Sequence, residues 1–418
     1  MQQSAPTIAP IFRRHAEPLI LDALADTRVV MVLGARQVGK TTLTQQIAAG
    51  PHPARILTLD DQATRNAAAS DPTSFIAGLS GPTLIDEVQR VPDLLFAIKA
   101  AVDIDKSPGR FLLTGSANVL TAPKIFEALT GRIEVVNLWP LSQAEIEGVA
   151  SNFVDALFSA QVPQISGAPI GRPAFVDRVA GGGYPEPRLR AGARRERWFE
   201  NYLRTTFERD LRDVSDAHKL DEMPRLLRLL ASQAANLFSA KSISDKLGLD
   251  HKTVKGYVKL LETVYLVKEM PAWRPGLGSR EIQSSKVYVT DSGLLAYLLG
   301  ADEARVAGDD QVTGKILENF AAMEVVKHVD WAQTRARQYH YRDGRDEVDI
   351  VLETRAGDIA AAEAKAGATI DPVDYRPMEK LRDRRGKAFI AGAVLYCGAE
   401  TLPLGDRIWA VPISGLWT

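Results

Sequence analysis

Gly34, Ala35, Arg36, Gln37, Val38, Gly39, Lys40, Thr41 and Thr42 follow directly on the apolar run Arg28 to Leu33. Glycines at this spacing let backbone N–H groups wrap a polyphosphate, and a helix starting near Lys40 aims its positive dipole end at the same anion. Lys40 then reaches the β- and γ-phosphates, and Thr41 offers a hydroxyl to Mg²⁺. A second acidic ending, Thr83-Leu-Ile-Asp86-Glu87, supplies the other half of such chemistry. Asp86 would hold Mg²⁺ and Glu87 would orient and deprotonate the attacking water. Ser116 or Asn118, after the run Phe111 to Gly115, is a candidate sensor of the γ-phosphate. Arg132, Arg209 and Arg212 are candidate arginines for the transferring charge; a surface or salt-bridge role is the alternative for each.

A further constellation lies near the C-terminus. Asp349 in Asp346-Glu-Val-Asp-Ile and Glu363 in Ile359-Ala-Ala-Ala-Glu363-Ala-Lys365 would meet if their two strands pair. Together they form a carboxylate pair able to hold Mg²⁺, with Lys365 on the same strand face as Glu363 to position water. Glu318 could add a third carboxylate. An exposed acidic hairpin explains the same residues without chemistry.

These groups need elements to position them. Apolar runs near residues 28–33, 55–60, 83–86, 110–114 and 133–138 alternate with helical segments, which predicts a parallel sheet covered by helices. The helix after the phosphate loop is expected over Thr42 to Ala49, stopped by Gly50. Residues 160–173 are rich in turn formers and read as a loop or linker. Between Ser239 and Leu261, two helices around Gly248 have the layout of a helix-turn-helix. The outer face of the second is expected to carry His251, Lys252, Lys255 and Tyr257, types that suit a duplex groove. Segments Glu262 to Lys268 and Lys286 to Val289 would form the hairpin of a winged version. A helix over Gly314 to His328 and strands at 337–342, 347–353 and 359–364 follow. The division is therefore an ATPase unit at 1–145, a helical lid or linker at 146–215, a winged-helix-like unit at 216–300 and an α/β unit at 301–418.

With 418 residues the chain is long enough for several cores. Its 51 Lys and Arg against 52 Asp and Glu leave the choice of partner to local patches. Arginines 188, 190, 194, 195, 197 and 204, and the stretch Arg376 to Lys387, form two such patches beside the helix-turn-helix. A single cysteine, Cys397, excludes an internal disulfide or a cysteine zinc site. With no membrane-length apolar stretch and no signal peptide, the chain reads as a cytoplasmic protein.

Taken together, Gly34-Ala-Arg-Gln-Val-Gly-Lys-Thr-Thr-Leu43, Leu59-Asp-Asp61, Ile85-Asp-Glu87, Leu113-Thr-Gly-Ser116, Leu129-Thr-Gly-Arg132, Pro140-Leu-Ser142 and Gly181-Gly-Gly-Tyr-Pro185 resemble the prokaryotic AAA+-type ATPases with a C-terminal domain of uncharacterised function. The resemblance covers nearly the whole chain. It implies an α/β fold: a P-loop AAA+ parallel-sheet domain, a winged-helix region, and an end domain similar to restriction endonucleases, with Asp349, Glu363 and Lys365 on its Asp…Glu-x-Lys positions. It also implies ATP and Mg²⁺ as cofactors. A homo-oligomer such as a hexamer is expected, because AAA-type sites borrow an arginine from a neighbour. The expected function is a Mg²⁺-dependent ATPase acting on DNA through translocation, branch remodelling or repair. A nucleotide-gated DNA-binding regulator with an inactive nuclease-like domain, and an ATP-gated DNA nuclease, are the alternatives.

Overall fold

Val29–Leu33 is apolar at every position and buried at every position, which a strand tolerates only when both faces of its sheet are covered. In the computed structural model, which describes residues 12–115, 129–159, 162, 170–214, 220–276 and 284–418, this strand (β1) lies inside a parallel sheet. Its companions are β2 (Arg55–Thr58), β3 (Thr83–Asp86), β4 (Phe111–Gly115) and β5 (Ile133–Asn137), in the order β2-β3-β4-β1-β5. Val29 stands opposite Phe111 on one side and Ile133 on the other. All loops that follow the strands therefore open on one edge of the sheet. Because β4 intervenes between β1 and β3, the acidic end of β3 stands two strand spacings, roughly 10 Å, from the phosphate loop.

Helices cover the next stretch. Ala193–Thr205 runs through a π-helical segment, Thr206–Asp210, into Leu211–Val214. Most of the expected loop at 160–173 falls outside the described residues, but Arg172–Gly181 is a helix that Pro173 opens. Ala240–Leu247 and His251–Thr263 are joined by a tight turn in which Gly248 takes φ +65°. Asp250 caps the second helix by accepting from the Lys252 amide. A two-stranded antiparallel hairpin follows, β6 (Val267–Met270) with β7 (Lys286–Val289). Glu262 and Thr263, expected in the hairpin, continue the helix instead. Tyr257 is also corrected: it is only 7% exposed and packs inward, because it shares a face with Val254, Val258 and Leu261.

The end unit opens with the helix Asp310–Trp331, longer at both ends than its apolar pattern suggested, since the Asp309 carboxylate caps its first turn. It is buried nearly all round, the mark of a helix packed on several sides. Toward the segment 141–153 that follows the parallel sheet, Glu324 accepts from the Gln143 amide, Lys327 donates to the Leu141 carbonyl and His328 Nδ1 accepts from the Phe153 amide. Toward the other side lies a mixed sheet of β8 (Ala336–Asp343), β9 (Asp346–Thr354), β10 (Ile359–Lys365), β11 (Phe389–Tyr396), β12 (Leu402–Gly405) and β13 (Ile408–Pro412), ordered β12-β13-β11-β10-β9-β8. One apolar cluster runs from Ala16 to Trp417, so the units share a core. No helix among the described residues is long and apolar enough to cross a membrane.

Candidate nucleotide site and the carboxylate cluster

The loop from Gly34 to Gly39 leaves β1 and enters the helix Lys40–Ala49, whose first residue is Lys40 itself. Gly34 is obligatory for a steric reason: a Cβ there would lie 2.2 Å from the Leu138 carbonyl oxygen. Gly39 at φ +98° and Gln37 at φ +60° hold the loop in left-handed turns. Lys40 curls over it, donating to the carbonyls of Gly34 at 3.0 Å and Ala35 at 2.8 Å. Burial lowers the Lys40 pKa, opposed by the nearby Glu87 carboxylate.

Thr41 Oγ1 donates to both Asp86 oxygens at 3.0 and 3.2 Å, and Thr114 Oγ1 donates to Asp86 Oδ1. Thr114 also accepts from the Glu87 amide at 3.0 Å, so one hydroxyl on β4 fixes both acids. Glu87 has φ +61°, uncommon for a residue with a Cβ, and its carboxylate accepts from Gln89. The strained backbone turns Glu87 away from the strand line and into the wall of the cavity over Lys40.

That cavity, about 790 Å³, is bounded below by residues 36–43 and above by the helical region, with Arg190, Asn201, Tyr202 and Thr205 in its wall. Arg36 reaches across to the π-helical segment, its Nε donating to Asp210 Oδ1 at 2.6 Å and Oδ2 at 2.7 Å. Arg14 braces the loop from beneath: it donates to the carbonyls of Val38 and Trp139, each at 2.7 Å, and to Glu145 Oε1 at 3.0 Å. Burial, the largest single effect, raises the Glu145 pKa, but the Arg14 charge and hydrogen bond together with the Ser142 and His15 amides turn the net shift downward.

Lys40, Thr41, Asp86 and Glu87 are thus brought together as expected. Arg132 is not. It precedes β5, at the sheet edge opposite the phosphate loop, and is held by Asp103 at 2.5 and 3.2 Å. Arg209, within the π-helical segment, and Arg212, just after it, are exposed. Ser116 and Asn118 lie outside the described residues. Arg14, Thr114, Arg190 and Asp210 were not singled out as site residues, and only Thr114, at the end of an apolar strand, carried a local signal.

In the end unit β9 and β10 pair antiparallel, which brings Asp349 and Glu363 together: the Asp349 amide donates to Glu363 Oε2 at 3.1 Å. Lys365 lies 2.9 Å from Glu363 Oε1. Burial, then the Asp349 charge, push the Glu363 pKa up to about 8. Glu318 joins, as foreseen, but with an unforeseen cation. Lys286 of β7 is 1% exposed and places Nζ 2.6 Å from Glu318, 2.6 Å from Glu347 and 3.3 Å from Asp349. No group of three or more His, Cys, Asp or Glu suited to a metal ion occurs among the described residues.

Residues 26–147 match the AAA domain, residues 172–305 a domain of unknown function (DUF8612) and residues 313–416 another (DUF4143). Two curated relatives, uncharacterized protein Mb2031c of Mycobacterium bovis and uncharacterized protein Rv2008c of Mycobacterium tuberculosis, are each 30% identical over 413 residues, 98% of this chain and 85% of the relative. Among solved structures, the Walker-type ATPase PABY2304 of Pyrococcus abyssi aligns with a TM-score of 0.41 at 14% identity, over 69% of this chain and 96% of that one. AMPPCP-bound DnaA from Aquifex aeolicus aligns with a TM-score of 0.27 at 13% identity, over 59% and 86%. A five-stranded parallel sheet with a phosphate loop after β1, and sequence matches along its length, make this chain a member of the AAA-type P-loop ATPase family that carries a C-terminal domain of unknown function.

Proposed function

We propose that the protein hydrolyses ATP with Mg²⁺ in the cavity over Lys40 and uses that cycle to act on DNA. The observation that carries the first part is the convergence of Lys40, Thr41 and Glu87 on one cavity, with Asp86 hydrogen-bonded directly behind Thr41. A polyphosphate would take the Lys40 ammonium from the Gly34 and Ala35 carbonyls, an exchange of neutral acceptors for charged ones. The Thr41 hydroxyl and Asp86 carboxylate present hard oxygen ligands side by side, the donor set Mg²⁺ prefers. Bound there, the ion would neutralise charge developing on the phosphates. Glu87 holds the attacking water and takes its proton. Arg190, in the cavity wall, is better placed than Arg132 to meet phosphate charge within one chain. A second arginine would come from a neighbouring copy, which makes a homo-oligomer part of the proposal.

The DNA part rests on the helix His251–Thr263. Its His251, Lys252 and Lys255 are exposed, as are Lys241 and Lys246 on the helix before it. None of these four lysines is held in an ion pair with a carboxylate among the described residues, although the Lys252 charge is felt by Asp250 at the helix start. By contrast, much of the other basic sequence is neutralised internally, as in Arg195–Glu303 and Arg384–Asp343. Phosphate contact is therefore expected from the lysine-bearing helices.

ATP turnover with Mg²⁺, measured with and without single-stranded, duplex and branched DNA, tests both parts. Glu87→Gln should cut the rate by about 10² to 10⁴ while leaving ATP affinity within a few-fold. DNA should stimulate the wild type, less so after Lys252→Glu with Lys255→Glu. Affinity should fall with salt at a log–log slope near −0.9 per phosphate neutralised. Absence of ATP binding and turnover overturns the first part; indifference to every polynucleotide overturns the second.

A further inference from the structure

The AAA-type reading concerns the N-terminal cavity, and the end unit poses a separate question: what cation sits among its carboxylates. The resemblance to restriction endonucleases implies Mg²⁺ between Asp349 and Glu363, and the residues present do not fit it. Lys286 Nζ stands within 3.3 Å of oxygens from Glu318, Glu347 and Asp349. An ammonium has three donors; this one hydrogen-bonds to Glu318 and Asp349 and pairs its charge with Glu347 as well. A divalent ion drawing on the same oxygens would share their space with a full positive charge only one contact away.

The remaining acceptors are committed as well. Asp349 Oδ2 accepts from the Ala364 amide at 3.2 Å. Glu363 accepts from the Asp349 amide through Oε2 and pairs with Lys365 through Oε1. Two carboxylates engaged in this way have few lone pairs to turn toward a metal that prefers six oxygens.

Lys286 is not a long surface side chain that happened to fold inward. It is anchored in the β6–β7 hairpin opposite Met270. That hairpin docks on the edge of the end sheet: the Trp273 amide donates to the His340 carbonyl at 2.6 Å, and the His340 amide donates to Pro271 at 3.0 Å. His340 Nε2 lies 3.1 Å from the Ser284 carbonyl, just before Lys286. The cation thus comes from the unit that carries the helix-turn-helix, and the carboxylates from the end unit.

We propose that Lys286 is the resident cation of this cluster, an internal ammonium seated where a nuclease would hold its metal, so that the docked hairpin closes the end unit to Mg²⁺ and phosphodiester cleavage. The carboxylates then serve to receive the hairpin and join the two units. This is independent of the nucleotide reading, since it involves neither the phosphate loop nor Asp86.

The test is Mn²⁺ binding to the full chain without nucleotide, followed by electron paramagnetic resonance, with plasmid nicking in Mn²⁺ as a second readout. The wild type and Asp349→Asn should give superimposable Mn²⁺ isotherms, because Asp349 holds no metal in either, and neither should nick DNA. Lys286→Met should gain a Mn²⁺ site that the added Asp349→Asn removes. A wild-type Mn²⁺ site lost on Asp349→Asn, nicking by the wild type that Asp349→Asn abolishes, or a folded Lys286→Met without the new site would each overturn the proposal. Should Lys286→Met fail to fold, the comparison of wild type with Asp349→Asn decides alone.

Discussion

Arg14 offers the sharpest test of how the phosphate loop is held. Its guanidinium, 6% exposed, makes three hydrogen bonds, to the Val38 and Trp139 carbonyls and to Glu145, itself 7% exposed. Arg14→Met keeps much of the apolar stem and deletes all three. Glu145 would still accept from the amides of His15 and Ser142, each at 2.9 Å, yet its buried charge would have lost its counter-ion. Removing one member of a buried pair costs about 3–5 kcal/mol. Replacing both removes that uncompensated charge, so Arg14→Met with Glu145→Met should be less destabilised than the sum of the single changes, by about 1–3 kcal/mol. The coupling cannot be complete, because the double variant also leaves the His15 and Ser142 amides without their acceptor. Urea unfolding followed by tryptophan fluorescence measures the stabilities. Binding of a fluorescent ADP reports the loop, which loses its tether at Val38 and should bind at least several-fold more weakly in Arg14→Met. A single-variant cost under about 1 kcal/mol, with additive effects in the pair, would refute the reasoning.

Two other outcomes follow from the geometry. Gly34→Ala forces a methyl group to 2.2 Å from the Leu138 carbonyl oxygen, so the loop must shift; nucleotide binding should fall more than about tenfold while circular dichroism stays close to the wild type, and unchanged affinity would contradict the steric account. His328 is fully buried, and burial lowers its pKa from 6.5 to about 3. The unfolded chain therefore takes up the proton first as the pH falls, so this contribution is complete above about pH 6.5 and is lost on the way down to about 3, at up to roughly 1.4 kcal/mol per pH unit. Unfolding midpoints recorded across that window should converge between the wild type and His328→Gln as acid is added, and parallel curves would count against it.

The chemistry of the nucleotide site was legible because it is local. Glycine spacing, Lys40, Thr41 and the acids closing an apolar strand lie in short segments whose geometry hydrogen bonding and sterics dictate nearly without help from the rest of the chain. Apolar runs at the period of buried strands likewise announced the parallel sheet, and the antiparallel pairing of β9 with β10 followed from the turn between them. Register along one helix is less legible: Tyr257 is a type that suits a duplex groove beside His251, Lys252 and Lys255, yet its ring shares the apolar face with Val254, Val258 and Leu261.

What no stretch of sequence could disclose were partners far apart in the chain. Arg14 meets Val38 and Glu145, Arg36 meets Asp210, and Lys286 meets Glu318, Glu347 and Asp349. Arg132 looked as suitable for phosphate as any arginine until strand direction put it at the wrong edge of the sheet. A charged side chain carries no mark of its partner, since Coulomb attraction acts on whichever group packing brings near. Local sequence determined which residues can bind a nucleotide; tertiary packing decided which of the remaining charges face solvent and which neutralise one another inside.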